Sequence, residues 1–246
     1  MSLPVHLADS LADVAAGSLV EVTGDEAHHA VAVRRLRLGE QVVLTDGAGT
    51  AATGTVEETG KRRFTVRLSS VRREERPAPE LVVVQAIPKG DRGELAVEVL
   101  TEIGVTRIVP WAAARSVAVW KGERAARALA RWRSTAREAG KQARRVWAVE
   151  VADLVVTEEA AALVAGADLA LVLHEAASAP LGDLTVPPDG TVLLLVGPEG
   201  GLTGEEVAAF EAAGAQKVRM GAEVLRTSTA GVAAAAALLA RTPRWG

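Results

Sequence analysis

Residues 191–196, Thr-Val-Leu-Leu-Leu-Val, are the run that most limits how this chain can fold. It is a continuous series of β-branched and leucine side chains with no polar face to give to water, so it reads as a strand covered on both sides. It breaks at once into Gly197-Pro198-Glu199-Gly200-Gly201, a loop nearly without side chains that continues neither strand nor helix. Thr203-Gly204-Glu205-Glu206 then has the spacing of a capping box, which starts a helix, and Gly214 ends it. Gln216 to Met220 reads as a second strand, followed by Gly221, the loop Ala222 to Thr227 and a closing alanine-rich helix. Two strands thus bring two glycine-marked loops to one edge of a sheet, the place where open α/β sheets bind ligands.

The preceding chain falls into two parts. Up to residue 73 the pattern is mostly β, with strands expected at Ser18–Thr23, Gln41–Thr45, Thr53–Glu57 and Arg62–Val71 and turns at Asp46-Gly47 and Thr59-Gly60. One helix, Asp25 to Arg37, is expected among them, capped by Thr23 with Glu26 in capping-box spacing and ended by Gly39. Arg72 to Pro79 is charged and carries two prolines, so residues 74–79 form the expected linker. From residue 80 to 246 strands alternate with helices: strand Leu81–Ile87, helix Gly93–Ile103 stopped at Gly104, strand Arg107–Pro110, helix Glu123–Val146 and strand Leu169–Leu173. That alternation predicts an α/β domain with a mainly parallel sheet.

Composition narrows the function classes. With 49% hydrophobic and 24% charged residues over 246, the chain has the make-up of an ordinary soluble globular protein. No apolar run has the length of a membrane span, and no secretory signal is visible. The absence of cysteine excludes disulfides and thiolate metal sites and fits a reducing cytoplasm. Adjacent His28-His29 point about 100° apart on a helix and have no carboxylate at i+4, so no metal site is expected. The net charge of −3 hides segregation: residues 121–145 hold nine basic and two acidic side chains, whereas residues 146–246 hold five and thirteen. Ala125, Leu129, Trp132, Ala136, Ala139 and Ala143 make one narrow apolar stripe on the helix, with Arg127, Arg133, Arg137, Lys141, Arg144 and Arg145 on the other side. A solvated face is one reading; contact with a nucleic-acid backbone is the favoured one, because the planar guanidinium suits phosphate oxygens.

The glycine loop departs from the phosphate-binding patterns. G-P-E-G-G is not G-x-G-x-x-G, Pro198 removes an amide, Glu199 adds negative charge, and no Gly-Lys-Ser/Thr follows. A ligand without phosphates fits better, and S-adenosyl-L-methionine, whose sulfonium tolerates a carboxylate, is one such ligand.

Val-Gly-Pro-Glu-Gly-Gly-Leu-Thr from Val196, with Glu206, and Met-Gly from Met220, with Val-Leu-Arg-Thr from Val224 and Thr229-Ala230, resemble the knotted SPOUT methyltransferases. More narrowly, the chain resembles the ribosomal RNA small subunit methyltransferase E family, 16S rRNA uridine N3-methyltransferases. His29 with Arg35-Leu36 and Gly39, Glu102 to Val105 with Pro110 and Arg115-Ser116, Lys141-Gln142 with Arg145, and His174 to Ser178 extend the match over essentially the whole chain. The resemblance implies a PUA-like β-barrel ahead of a trefoil-knotted α/β domain. It implies that Leu173-His174, Val196-Gly197-Pro198-Glu199-Gly200-Gly201, Met220-Gly221 and Val224-Leu225-Arg226-Thr227 surround S-adenosyl-L-methionine.

The partners it implies are 16S rRNA in the small ribosomal subunit and a second copy of the chain as a homodimer, with no membrane and no metal. Arg35, Arg115, Arg137, Lys141, Arg144 and Arg145 are the expected RNA contacts. Uridine N3 loses a proton as it is methylated, so the base develops negative charge. Arg226 is the candidate for stabilising that charge, an ion pair to Glu199 or Glu223 being its alternative role, and Glu199 is the candidate for positioning or proton acceptance. The family usually reads L-R-T-E-T-A, and this chain has Ser228 at the glutamate, Lys141 at a common glutamate and Val149 at a common proline. Methylation of another RNA position by the same fold, or a non-catalytic RNA-binding or ribosome-assembly role, are the alternatives.

Overall fold

A computed structural model of the chain describes residues 3–245 and divides it into two compact units, Met1–Arg76 with Gly140–Ala148, and Pro77–Ala139 with Val149–Gly246. The first is built on a five-stranded sheet of order β1-β3-β4-β5-β2. Its strands are β1 (Val5–Leu7), β2 (Leu19–Thr23), β3 (Gln41–Thr45), β4 (Thr50–Gly60) and β5 (Arg63–Arg73). β4 extends three residues beyond its expected span at each end, β5 begins one residue later than expected and ends two later, and the register of the pair is irregular at Thr53/Gly54 and Val56/Glu58. Alternation along β2 sends Val20 and Val22 into a core with Leu44, Val56, Phe64 and Val66.

The helix of this unit differs from the expectation. α1 covers only Gly24–His28, a π-helical turn follows at His29–Val33, and Arg35 takes a left-handed conformation at φ 56°. Thr23 makes no side-chain cap, and the Glu26 carboxylate that would complete a capping box is engaged elsewhere. That carboxylate is buried, accepts the Leu7 N–H at 3.3 Å, and pairs with the Lys141 ammonium at 3.1 Å. Segment 140–148 belongs to this unit through such contacts. The Trp147 indole N–H donates to the Glu74 and Glu75 carbonyls at 3.1 and 2.9 Å.

The second unit carries a six-stranded sheet of order β11-β9-β10-β6-β7-β8 in which every pairing is parallel. Its strands are β6 (Glu80–Ala86), β7 (Arg107–Trp111), β8 (Glu150–Val151), β9 (Leu169–Leu173), β10 (Thr191–Val196) and β11 (Gln216–Val218). β10 lies between β9 and β6, which is why its residues after Thr191 are all apolar and all buried. Val192, Leu194 and Val196 pack on one side with α2 (Arg92–Ile103), α3 (Gly122–Gln142) and α6 (Thr227–Leu239). Leu193 and Leu195 face the other side with α4 (Thr157–Ala165) and α5 (Gly204–Ala212). β8 and α4 had no counterpart in the sequence reading.

α3 stops at Gln142 rather than running to Val146, because Arg144 turns left-handed at φ 55° and the Arg145 N–H bonds back to the Gly140 carbonyl. Trp132, Ala136 and Ala139 of its apolar stripe are buried, whereas Ala143 lies past the helix end and is exposed. Parallel pairing places the carboxyl ends of β6, β7, β9, β10 and β11 at one edge, and the loops that follow them build the site.

Candidate cofactor cleft

The loop after β10 is held in place by one buried carboxylate. Thr203 and Glu206 form the expected capping box of α5: the Thr203 hydroxyl accepts the Glu206 N–H at 3.1 Å, and Glu206 accepts the Thr203 N–H at 2.8 Å. The same carboxylate accepts the Ala114 N–H at 2.8 Å, so it also fixes the loop after β7. Glu206→Ala leaves two amides without their acceptor and is expected to cost about 2–4 kcal/mol, against about 1 kcal/mol for Thr203→Ala. Denaturant unfolding of the two variants checks the difference.

Arg115, in the loop tied down by Glu206, lies against the glycine loop. A Cβ on Gly200 would sit 2.9 Å from the Arg115 carbonyl oxygen, so no larger residue fits that close approach. Glu199, at the loop's tip, accepts the Lys89 N–H at 3.2 Å, joining it to the loop after β6. The loop after β9 closes through the His174 N–H, which donates to the Val218 carbonyl, and the His174 Nδ1, which accepts the Ala176 N–H at 3.1 Å.

These loops enclose a cleft of about 1370 Å³. Leu173, His174, Val196, Gly197, Pro198, Glu199, Gly200, Gly201, Val224, Leu225, Arg226 and Thr227 line it. Met220 and Gly221 line an adjoining cavity of about 150 Å³ that shares Leu173, His174, Val224 and Leu225. The sequence reading missed Lys89 to Arg92 and Leu95 from the β6–α2 connection, and Ser228 to Ala230. Pro88-Lys89-Gly90 has the composition of a strand breaker, but a breaker does not say which cavity its loop will wall. Arg226 makes no ion pair with Glu199 or Glu223 and stays exposed at the start of α6.

The residues fit a cofactor with a cationic centre and no phosphates. Apolar Leu173, Val196 and Leu225 flank backbone-rich loops, and the exposed carboxylates of Glu175 and Glu199 open onto the space. The volume exceeds the 300–1,000 Å³ range common for single small-molecule sites, leaving room for a second reactant.

The expected RNA contacts fare differently. Arg35 and Arg144 are exposed at left-handed turns, Arg137 is exposed on α3, and Arg115 holds the glycine loop. Arg145 is half-buried, its Nε donating to the Trp147 carbonyl at 3.0 Å. Lys141 does not belong to the outward basic surface. It is 8% exposed, and the Glu26 carboxylate that turns it inward comes from 115 residues earlier. Arg127 pairs with Glu123, while Arg131 and Arg133 reach Glu94 and Asp153 on other elements. Among the described residues no cluster of His, Asp or Glu could hold a metal, and no helix is long and apolar enough to cross a membrane.

Fold and cleft together define an RNA methyltransferase class: the family described as RNA methyltransferase domain matches residues 74–239, and the RNA methyltransferase PUA domain matches residues 22–69. A ribosomal RNA small subunit methyltransferase E of Mycobacterium bovis is 43% identical over 244 residues, covering 96% of this chain and 91% of that protein. Its Bacillus subtilis counterpart is 28% identical over 90% of each chain. A Neisseria gonorrhoeae ribosomal RNA small subunit methyltransferase E, solved bound to S-adenosyl methionine, superposes with a TM-score of 0.85 at 28% identity over 97% of both chains. A Legionella pneumophila protein solved with bound cofactor SAM gives 0.89 at 29% identity, over 98% of this chain and 99% of that one. The chain belongs to the ribosomal RNA small subunit methyltransferase E family.

Proposed function

We propose that the chain methylates N3 of a uridine in 16S rRNA of the small ribosomal subunit, using S-adenosyl-L-methionine, as a cytoplasmic homodimer whose second unit is knotted. The observation that carries this reading is the cleft itself, where a phosphate-averse glycine loop and the start of α6 line one space roomy enough for cofactor and base. When bound, the cofactor would supply a sulfonium-activated methyl group to the uridine N3, which gives up its proton as it is methylated.

The chain's own residues bind and orient. Leu173, Val196 and Leu225 supply apolar walls, and the loop Gly197 to Gly201 supplies backbone donors and acceptors that no side chain obstructs. Glu199 is held by the Lys89 amide and suits a positioning role better than proton transfer. Arg226, exposed and without an ion pair among the described residues, stabilises negative charge on the base. Arg35, Arg115, Arg137, Arg144 and Arg145 remain the proposed RNA contacts, Lys141 being withdrawn. The dimer reading is supported by exposed apolar residues on the edge loops, Val117, Val119 and Leu225, with Val224 81% exposed.

Methyl transfer to purified 30S subunits, followed by nucleoside analysis, tests the reaction. N3-methyluridine at one position is the expected product; a methyl at another atom, or none, removes the proposal.

A further inference from the structure

α6 opens toward the cleft with its donors unused. The helix is thirteen residues long, and its N-cap, Arg226, makes no side-chain cap. The Thr229 and Ala230 amides bond the Arg226 carbonyl, whereas the Thr227 and Ser228 amides find no acceptor among the described residues. Free amides at a helix start carry the positive end of the helix dipole and favour a negatively charged oxygen. A second observation is independent of the helix end. Ser228 is 2% exposed and lines the cleft, yet its hydroxyl has no hydrogen-bond partner among the described residues. A buried hydroxyl left unpaired costs on the order of 1–3 kcal/mol, an expense that a ligand acceptor would relieve.

This turn is also braced from below. Gln85, at the carboxyl end of β6 and fully buried in the sheet, donates from Nε2 to the Thr227 carbonyl at 3.2 Å and to the Ala86 carbonyl at 3.0 Å. The amide therefore fixes the first turn of α6 from the inside. Gly231 lies against the same amide oxygen and the Val196 side chain, so the next turn packs flush on the sheet.

We infer that the Ser228 hydroxyl and the amides of Thr227 and Ser228 bind a carbonyl oxygen of the uracil ring and stabilise the negative charge that develops there as the N3 proton leaves. Hydrogen bonds to the charged form of a group favour that form, so the site lowers the barrier to N3 deprotonation. Arg226 then supplies long-range charge and Ser228 the directed donor. The inference rests on the uridine-N3 reading of the cleft, and it assigns a catalytic task to one of the residues at which this chain departs from the usual family sequence. The other negatively charged oxygen that could occupy the turn is the carboxylate of the cofactor's methionine moiety.

Ser228→Ala separates these occupants. Its S-adenosylmethionine affinity by calorimetry and its thermal midpoint are expected to stay within about twofold and a few degrees of the parent. Its kcat for methyl transfer to 30S subunits is expected to fall about a hundredfold with little change in KM, the size found when one oxyanion donor is removed. The rate–pH profile should move to higher pH, because the bound uridine loses its proton less readily. Subunits carrying 5-fluorouridine, whose N3 proton is more acidic, should lose much less rate with the variant than ordinary subunits do. A merely structural role for Ser228 would penalise both substrates equally, and that outcome overturns the inference. So does a loss of cofactor affinity matching the loss of rate, which would place the cofactor's carboxylate at the turn. Unchanged rate and pH profile in Ser228→Ala also overturn it. If the parent protein itself makes no N3-methyluridine, the functional reading fails first, and the parent measurement alone shows it.

Discussion

Gly200→Val is expected to weaken S-adenosylmethionine binding on the order of a hundredfold while leaving the rest of the fold in place. The added Cβ would stand 2.9 Å from the Arg115 carbonyl oxygen and 3.0 Å from the Arg115 Cβ. Neither atom is the end of a flexible side chain, and the Arg115 segment is held by the Ala114–Glu206 hydrogen bond, so the glycine loop must move instead. Overpacking of this kind costs about 1–3 kcal/mol, and the loop that moves is the one proposed to wrap the cofactor. Gly204→Ala is the matched control: nothing lies within 4 Å of its Cβ position, and affinity should be unchanged. Isothermal titration of both variants reads the difference. Equal affinities would mean that the glycine loop does not hold the cofactor.

Lys141→Met is expected to lower unfolding stability by about 3–5 kcal/mol, because it strands the Glu26 carboxylate in the interior. That carboxylate is 7% exposed, and the ammonium approaches its two oxygens at 3.3 and 3.1 Å. His6 Nδ1 lies 3.4 Å from the same carboxylate. The double variant Glu26→Leu with Lys141→Met removes both charges and should recover most of the loss, less about 1 kcal/mol for the Leu7 amide that Glu26 accepts. Denaturant titration of the parent, the single and the double variant gives the coupling. Were the single variant as stable as the parent, the ion pair would contribute nothing to holding segment 140–148 in its unit.

Much of the cleft was legible in the sequence because its parts are local. A strand buried on both faces announces itself by an unbroken apolar run, and Thr191–Val196 is that strand, in the middle of a parallel sheet. Capping chemistry spans three residues, and Thr203 with Glu206 forms the box that the spacing predicted. Local signals failed where a distant partner competed for the same group. Thr23 and Glu26 have the same spacing, yet no box forms, because the Glu26 carboxylate is buried against Lys141 and the Leu7 amide.

The same physics marks the limit of the sequence by itself. It determined the α/β alternation after residue 80, the glycine loops at the sheet edge and the small β-rich unit before them, since periodicity and turn chemistry act over a few residues. Helical periodicity also told which side chains of α3 share a face, but not what each face would meet. Tertiary structure alone decided that Lys141 turns inward, that Trp147 ties segment 140–148 to the Glu74 and Glu75 carbonyls, and that Gln85 braces the first turn of α6. Each depends on a hydrogen-bond or charge partner between 72 and 142 residues away, and a buried polar group takes whichever partner the completed fold brings within reach.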